Sequence, residues 1–404
     1  MTHVVVVGAG QAGASLVAKL RAVGFEGNIT LIGAEKVPPY QRPPLSKAYL
    51  LGDMTEERLY LRPADFYVDQ NITLRLDTRV TGIDRSAQTI TLSDGETVHY
   101  DELALTTGAH PRTLPAAIGG MLDGVFAVRD LSDADAMAPA FTAGKRVLII
   151  GGGYIGLEAA AVASKLGLKV TLIEMAERIL QRVAAPETSD YFRALHHDHG
   201  VDIREGVGLE RLLGDDHVTG AVLTDGTTLE IDFAVVGVGI TPATILAESA
   251  GIDVDNGITT DSHGRTSDPH IWAAGDCASS LFHGQTIRLE SVGNAIDQAE
   301  VVAVNIAGGD QPYTPKPWFW SDQYDCKLQI AGLNMGYTDV YVRKGDAPGI
   351  QSNWYYNGVT LLAVDAMNDP RNYMIGKRLI EAGRSPDPAL ITDPTTDMKA
   401  LLKP

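Results

Sequence analysis

The chain opens with a buried-looking run, Val4 to Val7, that ends abruptly in Gly8-Ala9-Gly10-Gln11-Ala12-Gly13. Apolar residues then recur near a 3.6-residue period at Ala14, Val17, Ala18 and Leu20, and Gly24 stands where that helix should stop. With the apolar "NITLI" that follows, the stretch reads as strand, tight glycine turn, helix and second strand. Further on, "QTITLSDGETVHYDELALTTGAHP" alternates about Asp94-Gly95, which predicts a hairpin.

The same programme then runs again. "RVLIIGGGYIGLEAAAVASKLGLKVTLIE" repeats strand, turn, helix and strand, and "AVLTDGTTLEIDFAVVGVGITP" repeats the hairpin about Asp225-Gly226. Asp94, Asp101, Gly108 and Pro111 each recur 131 positions later, as Asp225, Asp232, Gly239 and Pro242. A shared offset over four residues predicts an internal duplication: two related βαβ units, each with a hairpin insertion. Beyond Pro242, "GRTSDPHIWAAGDCA" predicts a strand ending in Gly275-Asp276, and "VGNAIDQAEVVAVNIAG" an amphipathic helix from about Gly293. The proline-rich "QPYTPKPWFW" leads into a last segment with a hairpin about Asn357-Gly358 and a closing helix with Pro370 near its start. That segment reads as a small α+β domain.

Bulk composition narrows the function more than the fold. A chain of 404 residues is long enough for two or three domains. Its 51 acidic and 33 basic residues, net −18, argue against nucleic acid as a partner. No apolar run is long enough to cross a bilayer, and the first strand starts at His3 without a leader, so a cytoplasmic location is expected. Cys277 and Cys326, the two cysteines, are too few for a disulfide framework and not close enough in sequence to form a redox pair.

Both glycine turns suit a dinucleotide. In the first, Gly8 permits the tight turn, Gly10 lets the backbone approach a pyrophosphate, and Gly13 allows close packing of helix on strand; the helix N-terminus then faces the anion. Glu35, 22 residues after Gly13, is spaced to accept hydrogen bonds from a ribose. The second turn supplies Gly151, Gly153 and Gly156 together with Tyr154 and Ile155, and Glu174 stands 18 residues past Gly156; Gly239 is counted with this cradle. Glu174 would repel a 2′-phosphate, and Met175, Ala176 and Glu177 offer no arginine for one, which favours NADH; Arg178 keeps NADPH open. If one dinucleotide is a nicotinamide, FAD is the economical choice for the other, because flavin takes an electron pair and can release it singly.

The motifs "YQRPPLSKAYL" (40–50), "GGGYIGLE", "VVGVGITP", "AAGDCA", "ESVGNAIDQA" and "PWFWSDQYD" span essentially the whole chain. On them the sequence resembles the FAD-dependent, NADH-dependent ferredoxin reductases of bacterial haem-thiolate monooxygenases and ring-hydroxylating dioxygenases, the putidaredoxin reductase type. The resemblance implies an α/β, glutathione-reductase-like fold of two duplicated Rossmann-like domains plus the C-terminal α+β domain. Expected boundaries are an FAD-binding domain at 1–110 and 241–317, an NAD-binding domain at 111–240 and the last domain at 318–404. It also implies that Arg42 and Lys47 lie against the FAD, with Lys47 near N5 and paired with Glu158, these two being the catalytic candidates. Arg129, Asp276 on the ribityl chain, Val292 at a helix N-terminus near the pyrimidine, and Trp320 beside the isoalloxazine complete the implied FAD contacts.

Read without the resemblance, Lys47 is a solvated helix residue, Glu158 a first-turn carboxylate, Asp276 an N-cap for a following helix, Arg129 a surface arginine, and Trp318 and Trp320 interface packing. No cysteine accompanies "PPYQRPPLSKAYL", so electrons should leave outward instead of to a protein thiol. "HHDH" at 196–199 closes a helix before Gly200, and no metal site is expected there. The implied reaction passes hydride from NADH, a diffusible substrate, to FAD and then single electrons to a 2Fe-2S ferredoxin. Basic candidates for docking that acidic partner are Lys316, Lys327, Arg343, Lys344, Arg371, Lys377 and Arg378. A monomer or weak homodimer is expected. The alternatives are a reductase of rubredoxin or quinone, and a non-catalytic flavoprotein that responds to NADH.

Overall fold

The structure, a computed structural model, describes residues 1–282 and 284–403, so the final residue of the expected last domain lies outside the described residues. Two compact units form. The first comprises Met1–Gln41, Thr55–His110 and Ile240–Pro317; the second comprises Arg42–Met54, Pro111–Gly239 and the C-terminal segment from Trp318. Arg42–Met54, which carries Arg42 and Lys47, thus groups with the second unit: Leu50 is buried in a core with Leu157, Phe233 and Leu328.

The first unit is built on a five-stranded parallel sheet in the order Ile271–Ala273, Glu102–Leu105, His3–Val7, Asn28–Ile32, Ile72–Arg75. Val4 to Val7 are buried on both faces, as expected for a central parallel strand, so the pattern there is a continuous apolar run and not an alternation. In the second unit a sheet of the same order is made by Asp202–Glu205, Lys169–Glu174, Arg146–Ile150, Phe233–Val236 and Val125–Phe126, running from the opposite edge. The duplication carries even an irregularity, although the fifth strand follows its hairpin in the first unit and precedes the first strand in the second. Each unit adds a three-stranded antiparallel sheet about the Asp-Gly turn, and in each the first strand has a bulge, between Val80 and Gly82 and between Leu209 and Arg211.

The C-terminal part of the second unit is an antiparallel sheet in the order Trp318–Gln323, Cys326–Gly332, Thr360–Met367, Gln351–Asn357, Asp339–Lys344. Helix Pro370–Glu381 covers it through Ile375 and Leu379, which pack on Trp354 and Val364. This helix does not close the chain; two short turns of helix, Pro388–Thr392 and Met398–Leu402, follow it. Among the described residues no helix is long and apolar enough to cross a membrane.

Candidate functional site

Two glycines of the first turn are required by close contacts. Gly8 has φ +117°, and a Cβ there would stand 2.2 Å from the carbonyl oxygen of Thr106. A Cβ on Gly13 would stand 2.0 Å from the carbonyl oxygen of Gly8. Gly10 is the exception: its backbone is extended, with φ −94°, and a Cβ there would meet nothing within 4 Å. Gly8 and Gly13 are therefore needed by the fold, whereas Gly10 keeps clear the space in front of helix Gln11–Ala22, whose first turn has no side-chain cap. That open cradle of uncapped amides fits a pyrophosphate.

The second turn repeats this geometry. Gly151 has φ +108° and no room for a Cβ against the Gly237 carbonyl, at 2.4 Å; Gly156 abuts the Gly151 carbonyl, at 2.0 Å. Gly153, φ −80°, caps helix Tyr154–Lys165 without a side-chain hydrogen bond and leaves open space. Gly239 has φ +101°.

The two acids are held differently. Glu35 lies three residues beyond its strand and accepts a hydrogen bond from the Tyr40 hydroxyl at 2.5 Å. Glu174 ends its strand and folds back on its own cradle, accepting from the Gly152 amide at 2.7 Å and the Ala176 amide at 2.8 Å. Arg178 is spent on Ser189 Oγ at 2.6 Å and the Ala184 carbonyl at 2.8 Å, so its guanidinium is committed to the fold. Arg182, which sequence reasoning did not single out, brings its guanidinium to 3.7 Å from where a Gly239 Cβ would stand. Its signal was a cation eight residues past Glu174, which nothing in the local pattern distinguishes from a surface residue.

Two further segments reach the first cradle. Gly275, φ +84°, approaches Ala12, and its amide donates to Gln298 Oε1 at 2.9 Å, which fixes the turn that presents Asp276. The chain then enters strand Ala278–Phe282, so Asp276 caps no helix and that reading is corrected. Val292 is the first residue of helix Val292–Ile306, one position before the expected start; Ser291 caps it by accepting from the Asn294 amide.

In the second unit, Arg42 donates to the Arg129 carbonyl at 2.7 Å, and the Arg129 amide donates to Asp133, a member of the capping box of helix Leu131–Met137. Arg129 is half-buried and not a free surface arginine. Lys47 Nζ lies 2.8 Å from Glu158 Oε1, and the same oxygen accepts from Ser321 Oγ at 2.6 Å. Burial raises Glu158 above the usual carboxylate range; Lys47 and Ser321 oppose that rise, and Asp322 adds to it. Trp320 stacks on Trp318 with centroids 5.5 Å apart, both half-buried on one face of their strand.

Cys277 and Cys326 are buried free thiols whose burial raises them above the ordinary range, so neither is an activated nucleophile. His196 is fully buried and bonded to Gln323, while His197 and His199 are exposed. Among the described residues no group of three or more His, Cys, Asp or Glu is placed to hold a metal. Of the basic docking candidates, Arg343 is consumed by the carbonyls of Ile391, Asp393, Pro394 and Thr396, and Lys377 by Glu381 and the Trp318 ring. Lys316, Lys327, Lys344 and Arg378 are exposed.

Residues 2–299 match the family model of the pyridine nucleotide-disulphide oxidoreductases, and residues 318–402 match that of the reductase C-terminal domain. The chain is 43% identical to putidaredoxin reductase of Pseudomonas putida, over 99% of this chain and 96% of that one. It is 42% identical to the ferredoxin–NAD(+) reductase component of an anthranilate 1,2-dioxygenase system from Burkholderia cepacia, over 98% of each. A crystal structure of a covalent putidaredoxin reductase–putidaredoxin complex superposes with a TM-score of 0.96 at 42% identity, covering 99% of this chain and 98% of that one.

Proposed function

Because the chain belongs to the pyridine nucleotide-disulphide oxidoreductase family and ends in that family's reductase C-terminal domain, we propose that its two cradles serve one reaction. It is an FAD-dependent NADH:ferredoxin oxidoreductase: the hydride of NADH goes to FAD, and single electrons go on to a 2Fe-2S ferredoxin that serves a monooxygenase or a ring-hydroxylating dioxygenase. The observation that carries this reading is the pair of uncapped, open glycine cradles in a chain with no reactive thiol. One NADH supplies two electrons and a ferredoxin takes one, so each turnover serves two ferredoxins and releases one proton.

Bound FAD supplies the conversion of an electron pair into single electrons. The chain's own residues divide the remaining work. Amides at the start of helix Gln11–Ala22, set free by Gly10, hold the FAD pyrophosphate; Glu35 holds its ribose and Asp276 its ribityl chain. Gly8 and Gly13 keep that turn closed on the strand. Arg42, Arg129, Val292 and Trp320 make the other assigned FAD contacts. Lys47 would set a positive charge against a bound flavin, and Glu158 holds that ammonium from its buried side.

For NADH, the helix start at Tyr154 and Ile155, freed by Gly153, takes the pyrophosphate, Arg182 adds a cation beside it, and Gly239 leaves room. Glu174 meets the adenosine ribose and repels a 2′-phosphate, and Arg178, committed elsewhere, cannot compensate. A cytoplasmic site of action belongs to the same proposal, supported by the supply of NADH there and by two thiols that stay free and buried.

The test is turnover of the purified flavoprotein with a panel of 2Fe-2S ferredoxins, a rubredoxin and a small quinone, with NADH and NADPH compared. Expected is rapid, salt-sensitive reduction of a ferredoxin with NADH preferred. Quinone reduction without ferredoxin reduction would overturn the reading.

A further inference from the structure

On the side of Glu158 that faces away from solvent, a line of polar groups runs on from the Lys47 contact. Strand alternation puts Trp318 and Trp320 on one face of Trp318–Gln323 and sends Ser321 and Gln323 to the other, where both are fully buried. Ser321 Oγ donates to Glu158 at 2.6 Å, and Gln323 Nε2 donates to Ser321 Oγ at 3.2 Å. Gln323 Oε1 lies 2.8 Å from Nε2 of His196, which has no exposed surface, and Nδ1 of that ring lies 3.3 Å from the Tyr324 hydroxyl.

The donor directions leave each group one choice. An ionised carboxylate has no proton to give, so the Ser321 hydroxyl donates to Glu158. Its oxygen can then only accept, which turns the amide nitrogen of Gln323 toward it. The amide oxygen is left facing His196, whose proton must therefore sit on Nε2. Flipping the amide would demand that one hydroxyl proton serve both Glu158 and Gln323. Burial holds the imidazole neutral, pushed down to about 4, with Gln323 opposing that shift and His199 adding to it. Nδ1 thus accepts from Tyr324. Every proton in the line points toward Glu158. An amide N–H does not exchange its proton during turnover, so the line cannot conduct protons; it can only hold.

We propose that Gln323, oriented by His196, is a positioning residue of the reductase site: it makes the Ser321 hydroxyl a fixed donor that keeps Glu158 ionised despite burial, and so keeps the Lys47 ammonium in place. The inference rests on the assignment of Lys47 and Glu158 given above.

In the holoenzyme, the carboxylic-acid C=O stretch of Glu158, identified by its loss in Glu158→Gln, is followed by infrared spectroscopy against pH. Gln323→Met keeps the length of the side chain and removes both polar ends. The midpoint should rise by about one pH unit or more, because a hydrogen bond to the charged form favours that form. Ser321→Ala should give a similar rise, and Ser321→Thr, which retains the hydroxyl, should restore the parent value. The acid limb of the pH profile for NADH-driven ferredoxin reduction should move by the same amount. If Gln323→Met does not fold, His196→Phe carries the test: it leaves every neighbour of Glu158 intact and should give a smaller rise in the same direction. An unmoved midpoint in Gln323→Met, or in His196→Phe where that variant carries the test, overturns the proposal. The infrared midpoint is read without any electron acceptor, so failure to reduce ferredoxin would count against the functional reading and leave this test standing.

Discussion

The two cradles share a backbone and differ at the rim. In the first, the helix starts with Gln11 and the buried Ala12, and the loop after the neighbouring strand carries the buried Thr106. In the second, Ile155 stands in the place of Ala12 and Gly237 in the place of Thr106, and large apolar groups around them are left in water: Ile155 is 47% exposed, Met175 80% and Val238 38%. One cradle is closed by small buried residues and by the Asp276 turn, fixed through Gln298, which suits a ligand that stays. The other keeps apolar side chains ready at its mouth, which suits a ligand that comes and goes, because covering them favours binding each time. Duplication supplied the same open glycine turn twice, and the rim residues set the two copies apart.

The largest effect that would break this comparison is at Gly10. Its φ is open to any residue and a Cβ meets nothing, so Gly10→Val should fold but fill the pyrophosphate space. The expected outcome is a soluble, colourless protein, checked by visible absorbance and flavin release; a yellow Gly10→Val protein would contradict the assignment.

A pH test separates the units. In the second, Asp365 is buried, with its carboxylate bonded to Thr188 at 2.7 Å and to the Tyr355 hydroxyl. Burial pushes it up to about 6, against opposing hydrogen bonds from Tyr355 and Thr188. A folded value above the unfolded one means that the native state binds the extra proton, so this group adds stability as pH falls from about 7 toward 4. The gain is on the order of 3 kcal/mol, from roughly two pKa units at 1.36 kcal/mol each. Asp365→Asn should flatten that slope in thermal unfolding followed against pH, and an unchanged slope would remove Asp365 from the account. The smallest expected effect is at Arg178. Since its guanidinium is committed to Ser189 and the Ala184 carbonyl, Arg178→Ala should change the NADPH-to-NADH ratio of kcat/KM by less than about threefold, under 1 kcal/mol of discrimination.

The glycine turns, the acids and the Asp-Gly hairpins were legible because each is a local requirement: a positive φ, a close approach, a two-residue reversal. Of the two fifth strands, Ile271–Ala273 was expected from "GRTSDPHIWAAGDCA", but Val125–Phe126 was not, since it is too short to show a period and owes its existence to the strand beside it. Nor did local pattern show that Arg42–Met54 groups with the second unit, a matter of Leu50 finding a core far along the chain. Lys47 and Glu158 came from resemblance alone. His196 had a signal that was overlooked: Thr188, Phe192 and His196 fall four residues apart, and all three are fully buried on one stripe of helix Pro186–Asp198. Taken as part of "HHDH", it looked like one histidine among three. Ser321 and Gln323 could not be told from solvent-facing strand residues without knowing what stood opposite.

The division of labour between the cradles is tested most directly at Gly153. Its φ of −80° accepts valine and a Cβ there meets no other atom, so Gly153→Val should obstruct only the second cradle. Flavin released per chain, measured beside the rate at which NADH bleaches the yellow colour, should show one FAD retained and bleaching slowed by about 100-fold or more, the loss expected when one or two charge-assisted hydrogen bonds to a phosphate are blocked. A Gly153→Val protein that lost its flavin, or that was bleached by NADH at the parent rate, would contradict it.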